Sequence, residues 1–114
     1  MLPLKRSFNS VTEYRVSIEN TAASDLWGVL QYITDTLKEP ETAKRIHFSI
    51  KDKIMKLNQM PFRYPLVNDE VFAKRGLRWM PAENYSVFYV VDESKKEVHV
   101  LRILYYRREW QNLL

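Results

Sequence analysis

The sequence contains no cysteine, two histidines and two glycines. The absence of cysteine excludes disulfides, thiolate nucleophiles, cysteine-type zinc sites and iron–sulfur clusters. The two histidines, His47 and His99, are too few for a multi-histidine metal site. The two glycines, Gly28 and Gly76, cannot build a phosphate-cradling loop, which excludes P-loop and Rossmann chemistry. We therefore predict a protein that uses neither a metal nor a cofactor.

Long hydrophobic runs are also missing. No stretch approaches the ~18 consecutive apolar residues of a membrane span, and the first ten residues lack the apolar core of a secretory signal. We therefore expect no membrane association and a cytoplasmic location. The 114 residues, 46% apolar and 28% charged, are sufficient for one globular domain. We expect residues 1–11 to be an N-terminal extension and residues 12–114 to be the domain.

The period of the apolar residues changes along the chain. Tyr14, Val16 and Ile18 alternate with polar residues, which is typical of a half-buried strand. Helical spacing follows, and after Gly76 the period becomes two. The predicted elements are a strand at 12–19, helices at 22–38 and 41–58, a turn at 81–84, and meander strands at 77–80, 85–91 and 98–104. This order predicts an α+β fold, β-α-α-β-β-β, in which a helical hairpin covers one face of an antiparallel sheet.

The net charge is +4, with a sequence pI near 9.4. A mildly basic chain can bind a polyanion or an acidic protein segment, and the charge alone demands neither.

Arginines and aromatic residues supply the candidate binding groups in the second half. Arg78 and Trp79 open the first meander strand, and either they contact a partner or Trp79 packs in the core. Arg102 lies within an apolar strand, where a permanent charge needs either an intramolecular acid or a functional pocket. The tail combines Tyr105, Tyr106, Arg107 and Arg108, a pattern that can hold phosphates while rings stack on bases, or that simply caps a sheet.

A nucleophile–base–acid triad cannot be assigned. His47, on the second predicted helix, and His99, in the last strand, are more simply explained as packing or surface residues than as catalytic groups. If the chain cleaves RNA, the attacking group is the 2′-hydroxyl of the substrate. The protein then supplies only a base, an acid and a cationic clamp, which Tyr, Lys and Arg side chains can provide.

Several sequence segments, taken in order, resemble the RelE/ParE superfamily of bacterial toxins, the growth-inhibiting halves of type II toxin–antitoxin pairs. The resemblance spans about residues 12–114. The segments that carry it are 14–18, 23–26, 31–33, Pro40 with Ala43, 50–57, Pro61-Phe62, 76–81, 84–89 and 98–110. It implies the β-α-α-β-β-β fold that the periodicity predicts independently. It also implies a role in growth inhibition or plasmid stabilisation, and a complex with a cognate antitoxin.

The superfamily divides by target, and the resemblance bears on which target this chain has. RelE-type members cut messenger RNA on the ribosome, and ParE-type members inhibit DNA gyrase. Arg107 matches the arginine that follows the last strand in the RelE pattern. Ser86 stands where that pattern has an arginine, and the tyrosine position falls near Leu113, although Tyr105 or Tyr106 could substitute. These departures, with the long helical hairpin, favour the ParE type.

We therefore predict a ParE-like toxin without a cofactor, whose partners are a cognate antitoxin and DNA gyrase. The alternatives are a metal-independent, ribosome-dependent endoribonuclease, in which Arg107 and Tyr105 are catalytic, and a non-toxic nucleic-acid-binding domain. The residues expected to contact the target or the antitoxin are Arg78, Trp79, Arg102, Tyr106, Arg107 and Arg108.

Overall fold

A computed structural model describes residues 13–114, and the predicted N-terminal extension at 1–11 lies outside the described residues. The principal elements, in chain order, are β1 (Arg15–Ile18), α1 (Asn20–Gln31), α2 (Pro40–Met55), α3 (Glu70–Lys74), β2 (Arg78–Ala82), β3 (Tyr85–Asp92) and β4 (Glu97–Tyr105). The predicted α+β fold class is confirmed. A five-residue π-helical turn, Tyr32–Thr36, extends α1, and short 3-10 turns lie at Lys56–Asn58, Pro61–Arg63 and Gln111–Leu113.

The sheet has the strand order β1-β4-β3-β2 and is mixed. The meander β2-β3-β4 is antiparallel, as predicted, but β1 pairs with β4 in the parallel direction. The prediction of a wholly antiparallel sheet is therefore wrong for this one pair. The reason is topological, because the two helices of the hairpin return the chain to the side from which β1 began.

The turn between β2 and β3 is shorter than predicted. Pro81 and Ala82 belong to β2, and the turn consists of Glu83 and Asn84, with Glu83 at φ 56°. The prediction of a turn at 81–84 is therefore wrong by two residues. Because β2 is at the edge of the sheet, the missing amide hydrogen of Pro81 costs no bond to a neighbouring strand.

The main core lies between the helical hairpin and one face of the sheet. Ile50, Ile54 and Leu57 of the predicted second-helix stripe have 0% exposure, which confirms the predicted buried face. Leu26 and Ile33 of the first stripe are also buried, whereas Leu37 at its end is 48% exposed. The sheet contributes Met80, Ala82, Val87, Tyr89, Val98, Val100 and Ile103 to this core.

A smaller core covers the opposite face of the sheet, which the sequence pattern had left without a cover. Leu77, Phe88 and Leu104 are buried there together with Val67. Phe72 of α3 and the chain end, residues 110–114, pack against them. The Trp110 ring lies 5.0 Å from the Phe88 ring and 5.3 Å from the Phe72 ring, centroid to centroid. The C-terminal segment is therefore part of the folded domain.

Candidate binding surface at the end of the sheet

Arg102 has an intramolecular partner. Its guanidinium donates to both carboxylate oxygens of Asp25 on α1, at 2.8 and 2.9 Å, and to the carbonyl oxygen of Leu113 at 2.9 Å. The two side chains of the pair are 19% and 14% exposed. The hydrogen bonds to Asp25 raise the pKa of Arg102 above its ordinary value. Of the two alternatives for this strand arginine, the structure favours the internal ion pair, and a role for Arg102 in binding a partner stays a prediction.

Asp25 also completes the edge of β4. The parallel pairing with β1 ends where Ile18 faces Val100, so the following residues of β4 have no strand on that side, although β3 still pairs with them on the other. The amide of Ile103 donates to Asp25 at 2.9 Å, and the Thr21 hydroxyl donates to the carbonyl of Leu101 at 3.0 Å. Side chains of α1 thus replace the missing strand, which satisfies backbone groups that would otherwise lack partners.

A register shift in β4 explains why the Arg102 side chain does not lie on the face of the sheet that packs against the helices. Phe88 pairs with Arg102 and Tyr89 with Val100, so Leu101 is an extra residue in β4. Bulges of this kind redirect side chains. Strict alternation would place Arg102 with Val100 on the helix face, whereas Ile103 occupies that face and packs in the main core.

Arg78 is held by a loop of its own chain. Its guanidinium donates to the carbonyl oxygen of Tyr64 at 2.6 Å and to that of Phe62 at 3.3 Å, and it lies 5.0 Å from the Phe62 ring centroid. Nearby, the buried Tyr89 hydroxyl donates to the carbonyl of Pro61 at 2.6 Å, and burial raises the pKa of Tyr89 to about 12. These bonds fasten the segment before α3 to the sheet, and a contact between Arg78 and a partner stays a prediction.

Trp79 lines a cavity of about 350 Å³ on the second face of the sheet. The Trp79 side chain is half-buried and packs against the smaller core. The cavity also contacts Tyr105, Tyr106 and Arg108. Four of the predicted site residues therefore come together around one opening. The other lining residues are Val67, Asn68, Asp69, Ser86, Phe88, Trp110 and Gln111.

The turn after β4 exposes the remaining candidates. Tyr105 and Tyr106 are 48% and 51% exposed, and their ring centroids lie 5.1 Å apart. The Arg107 guanidinium donates to the Tyr106 hydroxyl at 2.7 Å and lies over its ring. Among the described residues, no carboxylate lies within ion-pair distance of Arg107 or Arg108. We call residues Tyr105–Arg108 the terminal turn.

The two positions that depart from the RelE pattern have structural roles. Ser86 is buried at 7% exposure and lines the cavity beside Trp79. Leu113 is half-buried, packs in the smaller core and offers its carbonyl to Arg102. Arg107 is consequently not accompanied by an arginine from β3 or by a tyrosine at residue 113.

The two histidines lie away from this surface. His99 on β4 contacts Glu19 through Nδ1 at 3.2 Å and Glu97 through Nε2 at 3.1 Å. His47 is exposed on α2, near Phe48 and Lys51. Neither residue contacts Tyr105 or Arg107, so the described residues supply no histidine base for the terminal turn. Sequence reasoning did not identify the role of Asp25, because its partner lies 77 residues along the chain.

Solved structures with similar folds indicate the class of protein. A chain of the chromosomal ParDE toxin–antitoxin system from P. aeruginosa matches with a TM-score of 0.67 and 24% identity, over 82% of this chain and 97% of that chain. A chain of the toxin–antitoxin complex RelBE2 from Mycobacterium tuberculosis matches with a TM-score of 0.58 and 19% identity, over 82% and 98%. The fold is therefore that of the RelE/ParE-like toxins.

A family comparison makes the assignment more specific. The family model described as the ParE toxin of the type II toxin–antitoxin system parDE matches residues 16–110. The chain therefore belongs to the ParE toxin family and is a toxin of the type II toxin–antitoxin class, as the resemblance predicted. No curated protein sequence gives a significant match. Within residues 13–114, the helices are all too short or too polar to cross a bilayer.

Proposed function

We propose that this toxin arrests growth in the cytoplasm by binding DNA gyrase through the terminal turn and the adjacent Trp79, and that a cognate antitoxin neutralises it. The family assignment supports the general role, and the two structural matches come from toxin–antitoxin systems. Arg78 and Arg102 then serve the fold, because each is held by groups of its own chain.

The choice of gyrase over messenger RNA as the target rests on the C-terminal segment, which covers the second face of the sheet. Trp110, Leu113 and Leu114 pack there, and Ser86 is buried beside them. An RNA-cleaving site needs preorganised donors around the scissile phosphate. Arg107 and Arg108 are both exposed here, and among the described residues the one hydrogen bond made by either guanidinium is that from Arg107 to the Tyr106 hydroxyl. This arrangement suits binding to a protein surface better than phosphoryl chemistry.

Inducible expression of the full chain tests the proposal through two separate readouts. We expect a DNA damage response with intact messenger RNA, and purified toxin that inhibits supercoiling by gyrase. The Arg107→Ala variant weakens gyrase inhibition in proportion to the loss of affinity. Lys95→Ala is the matched control, because it removes an exposed cation from the turn between β3 and β4. Codon-phased cuts in messenger RNA that disappear in Arg107→Ala would instead establish the endoribonuclease alternative.

A further inference from the structure

The cavity of about 350 Å³ beside Trp79, which we call the Trp79 cavity, contains a hydroxyl group that the fold does not use. Ser86 and Tyr89 are the two buried residues among 13–114 that carry a hydroxyl. The Tyr89 hydroxyl is bonded to Pro61, whereas the Ser86 hydroxyl has no hydrogen-bond partner among these residues. Because no fully enclosed polar side-chain atom of these residues lacks a partner, the Ser86 hydroxyl must be open to the cavity that Ser86 lines. Buried hydroxyls normally have a partner, and this one can take a partner only from the cavity.

Ser86 interrupts an apolar row on the second face of the sheet. Phe88 lies two residues along β3 on the same face, and Leu104 is the partner of Ser86 on β4; both are buried in the smaller core. Valine at residue 86 would continue this row, would be the better strand former and would leave no unpaired hydroxyl. The packing of the sheet therefore does not explain the serine, whereas a ligand in the cavity would.

The walls of the Trp79 cavity are suited to a flat ring. Five of its eleven lining residues are aromatic, namely Trp79, Phe88, Tyr105, Tyr106 and Trp110. Aromatic side chains bind nucleobases by stacking, because every base has a flat π face. The volume lies within the range of roughly 300–1,000 Å³ that is typical of small-molecule sites. The cavity is therefore large enough for one base.

Two carboxamides supply hydrogen-bonding groups to the Trp79 cavity. Asn68 and Gln111 line it, both are exposed, and neither side chain has a hydrogen-bond partner among the described residues. A carboxamide has both a donor and an acceptor, so it can bond the amino group and a ring nitrogen of adenine together. Guanine is more often bound by arginine or lysine. Because the lining has two carboxamides and one cation, it matches adenine better than guanine.

The charges of the lining limit the ligand to a single phosphate group. Arg108 is the only cation in the lining, and no carboxylate of the described residues lies within ion-pair distance of it. Asp69 is the only acid, and its carboxylate accepts a bond from the amide of Phe72 at 3.2 Å. One guanidinium can bind one phosphate. A polynucleotide needs several cations along its backbone, and Asp69 would repel additional phosphates.

We propose that the Trp79 cavity binds a free adenine mononucleotide. The base stacks on the aromatic walls, its polar edge bonds to Ser86 and the carboxamides, and its phosphate pairs with Arg108. Binding of the nucleotide does not depend on the proposed function. Trp79 and Arg108 also belong to the surface assigned to gyrase, so the bound nucleotide should compete with gyrase, and this consequence rests on the proposed function.

Titration of the isotope-labelled full chain with adenosine monophosphate (AMP) tests the site. We expect a Kd of about 100 µM or below by calorimetry, and shifts of the indole N–H signals of Trp79 and Trp110. Trp27 is 64% exposed on α1 and does not line the cavity, so its signal is the internal control. Uridine monophosphate should bind at least about fivefold more weakly, because its smaller base stacks less well.

Several results of this titration would overturn the proposal. These are no binding of AMP at millimolar concentration, equal binding of AMP and uridine monophosphate, and equal shifts of all three tryptophan signals. Hexa-adenylate RNA that binds more than about tenfold tighter than AMP would show that the surface holds a polynucleotide and not a free nucleotide.

Two substitutions separate the contacts to the base from the contact to the phosphate. Ser86→Ala should weaken AMP and adenosine alike, by about fivefold, because both lose the hydroxyl partner. Arg108→Ala should weaken AMP by about tenfold and adenosine by less than about twofold, because adenosine has no phosphate. Lys95→Ala, which removes an exposed cation from the turn between β3 and β4, is the matched control and should change neither affinity. Equal effects of Arg108→Ala on AMP and adenosine would contradict the phosphate contact and overturn the proposal.

The melting temperature shows whether Ser86 serves the fold. Ser86→Ala should melt within about 2 °C of the parent chain, because the substitution removes no hydrogen bond within the described residues. A decrease of more than about 5 °C would mean that the hydroxyl stabilises the fold, and the argument from an unused hydroxyl would then be wrong.

Inhibition of gyrase supercoiling by the full chain tests the competition, with gyrase and AMP alone as the blank. At about five times its Kd, AMP should raise the half-inhibiting toxin concentration about sixfold for the parent and about twofold for Ser86→Ala. Inhibition that does not respond to bound AMP would overturn the competition and leave the proposed function intact. A parent chain that does not inhibit gyrase would overturn the proposed function, whereas the AMP titration would still decide whether the cavity binds the nucleotide.

Discussion

Asp25 and Arg102 form an ion pair that joins α1, the open edge of β4 and the chain end. The Asp25 carboxylate accepts two bonds from Arg102 and one from the amide of Ile103, while Arg102 also holds the carbonyl of Leu113. An ion pair that is this well enclosed costs free energy to desolvate, and its four bonds offset that cost. Its role is to fix where the helix and the C-terminal segment dock.

The first prediction compares Arg102, which is paired inside the fold, with Arg107, which is exposed. Arg102→Ala leaves the part-buried Asp25 without its cation and should lower the free energy of unfolding by about 2–4 kcal/mol. Arg107→Ala removes an exposed group and should change it by less than about 0.5 kcal/mol. Urea denaturation followed by circular dichroism measures both. Equal effects of the two substitutions would show that the Arg102 pair does not organise the fold.

Much of this fold is predictable from the period of the apolar residues. The helical hairpin follows from the spacing that ends in Ile50, Ile54 and Leu57, and the meander follows from alternation after Gly76. The parallel pairing of β1 is not predictable in this way, because alternation identifies a strand without specifying its neighbour. The extra residue Leu101 also escapes prediction, since a bulge changes which side chains share a face and leaves the composition of the strand unchanged.

The candidate site was predictable only in part, for a related reason. The residues of the terminal turn are adjacent in sequence, so their grouping around Tyr105 and Arg108 could be expected. Trp79 joins them through strand pairing, which brings β2 beside β3 and β3 beside β4. The internal partners of Arg78 are backbone carbonyls, which every residue carries, and no sequence pattern marks the particular ones that accept its bonds.

The second prediction concerns the main core. Ile50 has 0% exposure between α2 and the sheet, and Ile50→Asp places an unpaired carboxylate there. The cost of several kcal/mol is comparable with the whole stability of a small domain, so the variant should be unfolded. Lys53→Asp, on the exposed face of the same helix, is the control that should fold. A cooperative thermal transition in Ile50→Asp would contradict the packing described here.

The third prediction is a loss of stability at alkaline pH. The pKa of Tyr89 is raised to about 12 by burial, above the value of about 10 expected in the unfolded chain. Because the folded pKa is the higher one, the neutral hydroxyl stabilises the fold fully below pH 10, and this contribution falls as the pH rises from 10 through 12. Tyr89→Phe removes the titrating group together with its bond to Pro61.

The free energy of unfolding, measured by urea titration at several pH values, separates these effects. At neutral pH, Tyr89→Phe should be less stable than the parent by about 1 kcal/mol, because the carbonyl of Pro61 loses its donor. Between pH 10 and pH 12, the difference between the two proteins should shrink. A difference that stays constant over this range would mean that Tyr89 titrates alike in the folded and unfolded chains.

The last prediction asks whether the chain end belongs to the core or is a free arm for a target. Trp110 lies against Phe88 and Phe72, and the carbonyl of Leu113 is bonded to Arg102. If the segment is core, Trp110→Ala should lower the free energy of unfolding by about 2–3 kcal/mol, through lost burial and aromatic contacts. Tyr106→Ala removes an exposed ring from the terminal turn and should cost less than about 1 kcal/mol.

The effects of the two variants on gyrase inhibition should have the opposite order to their effects on stability. With Tyr106→Ala, gyrase inhibition should fall while the melting temperature is nearly unchanged, because the ring is exposed and the proposed function assigns it to contact with the target. With Trp110→Ala, inhibition per folded molecule should be retained at a temperature where the variant is still folded. The contrary result is a Trp110→Ala variant that has the melting temperature of the parent chain and no longer inhibits gyrase. It would mean that Trp110 contacts the target and that residues 110–114 do not cover the second face of the sheet.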